Sequence, residues 1–559
     1  MNDDLKSFYT AIILSALVVL GVNYFMPKDE AQTEIPTEVA IQTETESSLQ
    51  SVDEEAENIE SSLENTIDSL AKDVRVSFEN NVLSGSIRLK GLRFDNLTLN
   101  KYKQTLDNDS PNVELFAPAK TANAYFTEFG WLSNNSNLNL PDAQTIWNVV
   151  GNNKLSVGHP LILEWNNGQG LKFTNTISVD ENYLFEIKQT VTNNSGEEIS
   201  LIPYGLFSKT IDPTKATRSV VHEGLTGAFN DKLKEIRYQD IKEKPQSFET
   251  TGGWVSFADK YWFSSFVFND TYQAKVNVRK VKDNVYQLDY RGPVLKIQSG
   301  SSASVSTNLY AGAKEIKLLD KYADKIKKFD LNVDFGWYYF LTKPFFYALD
   351  FLYGILGNMG WAILLFAAIL RLLMFPIANK SYVSMSKMKK IQPKVMALQT
   401  IYKDDKQALQ RATMELYKKE KVNPASGCLP MFIQIPIFFS LYKVLNIAIE
   451  IRHAPFIGWV KDLSAPDSLT ISSWSHIPHI PSMLDIGVWP LIYGLTMLLQ
   501  NKLNPKPANK DQARMFMLMP IVFTIMFAHF AVGLVIYWIL NNVLSLIQQK
   551  IIMYKNGVK

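Results

Sequence analysis

The chain has a single cysteine, Cys428, in 559 residues. A lone thiol excludes an intramolecular disulfide and any cysteine-based metal cluster, and its place at the start of an apolar run suits plain packing. Net charge is equally scarce. Lys and Arg total 57 against 55 Asp and Glu, and a balance of +2 makes no case for nucleic acid. No P-loop, GxSxG or HExxH pattern occurs, so the chain reads as a protein without catalytic residues or cofactor. His476 and His479 stand in an extracytoplasmic loop without a carboxylate pattern, which argues against a metal pair. The most telling shortage is of acid in long apolar runs. Segments 356–377, 429–449, 486–499, 515–532 and 534–552 contain no Asp or Glu.

About 20 helical residues cross the hydrocarbon core of a bilayer, so these five runs read as membrane spans. A sixth, residues 8–26, opens the chain, and the Asn-Tyr-Phe-Met-Pro that ends it offers no small-x-small cleavage pattern. Residues 1–27 therefore read as an uncleaved signal anchor. The last two runs meet at Gly533 and read as a hairpin. Orientation follows from the short loops. Segment 380–421 carries ten Lys and one Arg, whereas 450–485 carries only Arg452 and Lys461. The basic loops lie in the cytoplasm on this reading, with both termini, including the tail 553–559.

Residues 29–71 hold 13 Asp or Glu and no Lys or Arg. Such a segment cannot bury a core, so 28–71 reads as a disordered acidic linker, weakly helical towards its end. From 72 to 317 the texture changes to short alternating strands, among them 161–165, 171–179, 183–192, 266–268, 276–281, 286–290 and 305–310. Asn167-Gly168 and Asn193-Asn-Ser-Gly196 mark turns between them. This pattern predicts a large β-sandwich outside the membrane. Residues 318–355 form a connector followed by an aromatic stretch. Nine aromatics lie between Trp337 and Tyr353, which predicts an amphipathic helix at the membrane interface. The membrane core is 356–552, and within it 380–422 is patterned as two helices broken near Tyr402-Lys-Asp-Asp405. Methionines among its lysines suit adaptable contacts, and its basic surface suits anionic lipid or ribosomal RNA.

Arg371 is a charge deep in its run with no acid there to pair it. It lies nine residues before Lys380, roughly 13 Å from that end of its helix. A cation at such depth costs at least about 2.5–3.5 kcal/mol unless something solvates it. A water-filled recess opening from the cytoplasmic side is the functional reading, and a side chain snorkelling to the near interface is the plain one. Other polar groups gather at the same depth. Gln434 lies early in its helix; Asn541, Ser545 and Gln548 follow i, i+4, i+7 spacing, with Asn542 beside them. Proline-marked apolar faces flank them: Met431, Phe432, Ile435, Pro436 and Phe439 on one helix, Pro520, Ile521, Phe523, Met526 and Phe527 on another.

Leu370-Arg-Leu-Leu-Met-Phe-Pro376, Ser381-Tyr-Val-Ser-Met-Ser-Lys-Met-Lys-Lys-Ile-Gln-Pro393, Tyr417-Lys-Lys-Glu-Lys-Val-Asn-Pro424, Gly427-Cys-Leu-Pro430, Gln434-Ile-Pro436 and Gly533-Leu-Val-Ile-Tyr-Trp538 together resemble the YidC-type membrane protein insertases. The anchor and large outer domain are similar to the Gram-negative form of that family. The resemblance implies six transmembrane helices plus a periplasmic β-supersandwich in the inner membrane. It implies a membrane protein insertase and chaperone working alone or with the Sec translocon and its accessory subunits. Its partners would be nascent membrane proteins, membrane lipids and, through the basic hairpin, the ribosome. Arg371 matches the groove arginine of the family, with Gln434, Asn541, Asn542 and Ser545 as polar lining. Phe432, Ile435, Pro436, Met526 and Trp538 would contact the client. Trp538 stands where tyrosine is common, so that hydroxyl is missing. Ala367-Ala368-Ile369 replaces a Thr-rich stretch, which makes a drier groove. The rival readings are an ion-coupled transporter, for which only His529 is a candidate group, and an outer domain that binds sugar, which would rest on fold analogy alone.

Overall fold

The computed structural model describes residues 66–212, 221–403, 405–422, 429–475, 480–481, 484–504 and 510–557. The signal anchor, most of the acidic linker, Cys428, His476 and His479 lie outside them. The last residues of the expected linker, Thr66–Ala71, form one short helix.

Eighteen strands, β1 to β18, join in one hydrogen-bonded network between Arg75 and Ala313. Period-two alternation builds them: in β9 (Leu171–Val179) every second side chain is buried, as in β10 (Leu184–Asn193), which pairs with it antiparallel. The loop before β9 turns where Asn-Gly implies. Asn167 Oδ1 accepts from the amides of Gln169 (2.8 Å) and Leu171 (2.9 Å), and Gly168 takes φ +76°. The segments expected as separate strands at 266–268 and 276–281 are one strand, β15 (Trp262–Lys282). Its polar interruption, Asn269-Asp270, is exposed, and a register shift between Thr251 and Gly253 of the partner β14 (Gln246–Ala258) absorbs the irregularity there. Aromatic packing fills the interior: Phe207 stacks on Phe266 at 4.0 Å and Phe263 on Tyr310 at 4.4 Å.

Helix α1 (Ile316–Ala323) leads from β18 to α2 (Tyr339–Leu356). The aromatic stretch is helical as expected. Phe345, Phe346, Leu349 and Leu352 face inward, while Phe340 and Phe351 are exposed. Lys343 ties α2 to the connector through Asp320 (2.8 Å) and Asp330 (3.0 Å).

The longer helices that follow are α3 (Met359–Ile401), α4 (Lys406–Lys419), α5 (Leu429–Ile447), α6 (Val488–Leu503), α7 (Lys510–Phe527) and α8 (Val532–Lys555), with a five-residue helix, Ile471–Ser475, between α5 and α6. Among the described residues, α3 and α8 are long and apolar enough to cross a membrane; Phe432–Ile447 and Ala513–Phe527 are shorter apolar stretches. Two expectations change. The span 356–377 does not end before the basic segment, because α3 runs unbroken to Ile401. Apolar and basic residues alternate after Lys380 at helical spacing, and the helix continues through Pro393 as far as Ile401. The basic pair of helices does form, with Asp405 capping α4 by accepting from the Ala408 amide at 2.9 Å and Lys394 meeting Glu420 at 2.6 Å. Gly533, expected at the tip of a hairpin, lies inside α8, and the turn is 528–531. The glycine instead lets a loop cross the helix: its amide donates to the Leu463 carbonyl at 3.1 Å, and a Cβ there would sit 3.0 Å from that oxygen.

Candidate functional site

Arg371 projects from α3 into the contact between α3 and α8. Its Nη2 donates to the Tyr382 hydroxyl at 2.9 Å and to Gln548 Oε1 at 3.0 Å, and the guanidinium lies 5.7 Å from the Tyr382 ring centre. Nε is buried without a partner. Among the described residues no carboxylate lies within ion-pair distance of it. The cation is thus held by neutral acceptors. They satisfy part of its hydrogen-bonding capacity and leave its charge uncompensated, an arrangement that favours an incoming anion.

The helix geometry explains who meets Arg371. Tyr382 follows it by eleven residues, close to three full turns, so both lie on one face of α3. Pro376 stands between them and has no amide to give the Leu372 carbonyl. Gln548 comes from the i, i+4, i+7 face of α8. Of the other members of that face, Asn541 and Ser545 are buried, and Ser545 Oγ donates back to the Asn541 carbonyl at 2.7 Å.

Asn542 does not line the arginine's surroundings. It donates to Thr496 Oγ1 of α6 at 3.0 Å. Adjacent helix residues diverge by about 100°, so Asn541 and Asn542 cannot share a face. Seven residues on, Gln549 repeats the outward contact, donating to Asn504 at 3.2 Å. The α8 helix therefore carries two polar stripes, one towards α3 and one towards α6. Gln434 is not brought onto Arg371 either; it donates to the Tyr537 hydroxyl at 2.9 Å. Tyr537 and Tyr382 are the two site residues that the sequence reading missed. Helical spacing from Arg371 was the available signal for Tyr382. Tyr537 carries no such signal, since it stands beside Trp538 in an apolar run.

The apolar residues divide in the same way. Phe432 (65% exposed), Ile435 and Met526 (both 40%) are open, whereas Pro436 and Trp538 are half-buried. Trp538 packs against Phe438 at 5.7 Å and Phe527 at 6.1 Å, and its indole N–H has no partner. His529 is exposed at the end of α7, its ring nitrogen 3.3 Å from the Ile525 carbonyl.

These features define an integral membrane protein with a large β-sheet domain joined to an apolar helical unit. Comparison with known proteins narrows the class. Residues 75–348 match the family described as the YidC periplasmic domain, and 351–558 match the 60Kd inner membrane protein family. The membrane protein insertase YidC of Rickettsia felis is 45% identical over 567 residues, covering 98% of this chain and 99% of that protein. The Rickettsia canadensis protein of the same name is 44% identical over the same length and coverage. A solved structure of an active YidC insertase with its first transmembrane domain resolved aligns over 85% of this chain and 91% of that one, at 18% identity and a TM-score of 0.36. The chain belongs to the YidC family of membrane protein insertases. It inserts proteins into the inner membrane.

Proposed function

We propose that Arg371 receives the polar segment of a client protein in the cytoplasmic leaflet, and that the exposed faces of α5 and α7 guide the client's apolar segment into lipid. The observation that supports this most is the neutral setting of the cation. A client carboxylate would meet a positive charge that no described acid of the protein has already neutralised. Gln548 and Tyr382 hold the guanidinium; Asn541 and Ser545 supply polar surface behind it, while Gln434 is engaged with Tyr537. Phe432, Ile435, Pro436 and Met526 are the sliding contacts, with Trp538 at their edge. Burial of apolar surface in lipid drives the process, and the arginine lowers the barrier by shortening the dry path the polar segment crosses.

On this reading the chain crosses the membrane six times, with both termini and the basic helices α3–α4 in the cytoplasm and a β-supersandwich in the periplasm. It serves small clients alone and larger ones with the Sec translocon. Its basic helices meet anionic lipid or the ribosome. The partition of Lys and Arg among the short loops supports this orientation.

The test compares two clients in reconstituted vesicles, one with an acidic translocated tail and one with a neutral tail. A charge pair is worth about 1–4 kcal/mol between bulk water and a protein surface, so Arg371→Ala slows the acidic client by roughly 5-fold to several-hundred-fold. The neutral client is slowed far less. Equal slowing of both would remove the charge from the mechanism.

A further inference from the structure

The β-sheet domain and the helical unit meet around a short loop, residues 448–452, that follows α5. Two of its side chains enter the junction. Arg452 donates to the carbonyls of Lys103 (2.8 Å) and Gln104 (3.0 Å) at the end of β3 (Arg93–Lys103), and its guanidinium lies 5.3 Å from the Trp262 ring centre. Glu450 Oε1 accepts the backbone amide of Ile316, the first residue of α1, at 3.2 Å. Its other oxygen, Oε2, is buried with no partner.

The Glu450 side chain is half-buried, but a carboxylate oxygen that is itself shut off from water and unpartnered costs free energy unless a cation stands beside it. Among the described residues none forms an ion pair with Glu450. The charged groups facing it are mostly acidic. Glu315 precedes α1, and accepts from the hydroxyls of Tyr183 (2.6 Å) and Tyr102 (2.9 Å), with Lys101 at 3.4 Å. Asp350 comes from α2 and is already taken by Lys317 at 2.5 Å. On its own loop, Arg452 is engaged with the β3 carbonyls and His453 follows it. A proton solves the electrostatic problem: a neutral carboxyl keeps the Ile316 contact and removes the buried charge.

We propose that Glu450 is a proton-binding site that couples docking of the β-sheet domain on the helical unit to the pH outside the membrane. Burial pushes its carboxyl up to about 7, against the opposing hydrogen bonds of its own amide and the Ile316 amide, and the nearby Glu315 and Asp350 charges add smaller upward pushes. When the junction opens, the carboxyl returns to its ordinary range near 4.5. The sign follows. The docked state holds the proton more tightly, so docking is strongest below the ordinary carboxyl range. It weakens as pH rises, by roughly tenfold per unit, and levels off above about 7.

The test uses the full-length chain in lipid nanodiscs with Cys428 replaced by serine. Spin labels sit at Asp283 of the β-sheet domain and Ile457 of the outer loop, both exposed, and pulsed dipolar spectroscopy reads the distance between them. The expected result is a single narrow distribution at pH 5 and a second, displaced component that grows towards pH 8. Glu450→Gln, neutral at every pH, keeps the narrow distribution throughout. A wild-type distribution that is the same at pH 5 and pH 8 would overturn the proposal, and that comparison stands even if the variant fails to fold. So would a variant that responds to pH as the wild type does.

Discussion

The Arg371 guanidinium and the Tyr382 hydroxyl, 2.9 Å apart, join the intramembrane charge to the first turn of the basic segment on the same helix. Because α3 is continuous from Met359 to Ile401, the residue that holds the cation moves with the basic arm.

Tyr382→Phe tests this link. The change removes one acceptor and keeps the ring under the guanidinium. A hydrogen bond to a charged group is worth about 1.5–3 kcal/mol, so Arg371 becomes markedly less well held. Insertion of an acidic-tailed client slows several-fold in reconstituted vesicles while a neutral-tailed client is unaffected. Equal rates for the acidic client with Tyr and Phe would show that Gln548 alone positions the cation.

The second polar stripe of α8 predicts a contrast. Asn542→Leu removes a single contact to Thr496, whose own hydroxyl still donates to the Tyr493 carbonyl at 2.7 Å. Such interhelical bonds in membranes average about 0.6 kcal/mol, so thermal unfolding in detergent shifts slightly and insertion of either client is unchanged. Gln548→Leu, on the other stripe, slows the acidic client. If Asn542→Leu were the more damaging of the two, the assignment of stripes would be reversed.

A third prediction concerns the junction at acid pH. Lys443 of α5 lies 2.5 Å from Asp334 Oδ2. Burial opposes ionisation of Asp334, but Lys443 and the amides of His222 and Gly336 outweigh it and hold the carboxyl below its ordinary range. A lowered carboxyl stabilises the folded state above its ordinary range, and that contribution is lost as pH falls through the lowered value. Lys443→Ala therefore lowers the midpoint of thermal unfolding at pH 7, with a cost of about 1–3 kcal/mol for leaving a part-buried carboxylate without its cation. The difference between variant and wild type shrinks as Asp334 is protonated below its ordinary range. A gap that stays constant down to pH 3 would contradict the assignment.

Much of this protein is legible in residue types and spacing. Period-two alternation marks the strands, Asn-Gly their turns, and uninterrupted apolar runs the apolar helices, of which α3 and α8 are long enough among the described residues to cross a membrane. Arg371 stands out because its run has no acid. Gln548 shares a face with Asn541 because i, i+7 is two turns. These are local regularities, and a single helix or strand dictates them.

Partnerships across elements are another matter. Asn541 and Asn542 look alike in sequence, but only the crossing of α3, α6 and α8 assigns one to each side. Gln434 reads as groove lining, yet the packing of α5 on α8 sends it to Tyr537. Gly533 reads as a turn until the loop carrying Leu463 is seen lying across it. Nothing in the sequence marks Glu450, and only the packing of its loop against α1 gives one oxygen the Ile316 amide and leaves the other without a partner. Chain chemistry alone determined which segments bury, which charges are scarce and which residues share a helix face, since those follow from backbone geometry. The tertiary structure decided which polar groups face one another and which lose their water, because desolvation and hydrogen bonding depend on the neighbours that distant segments supply.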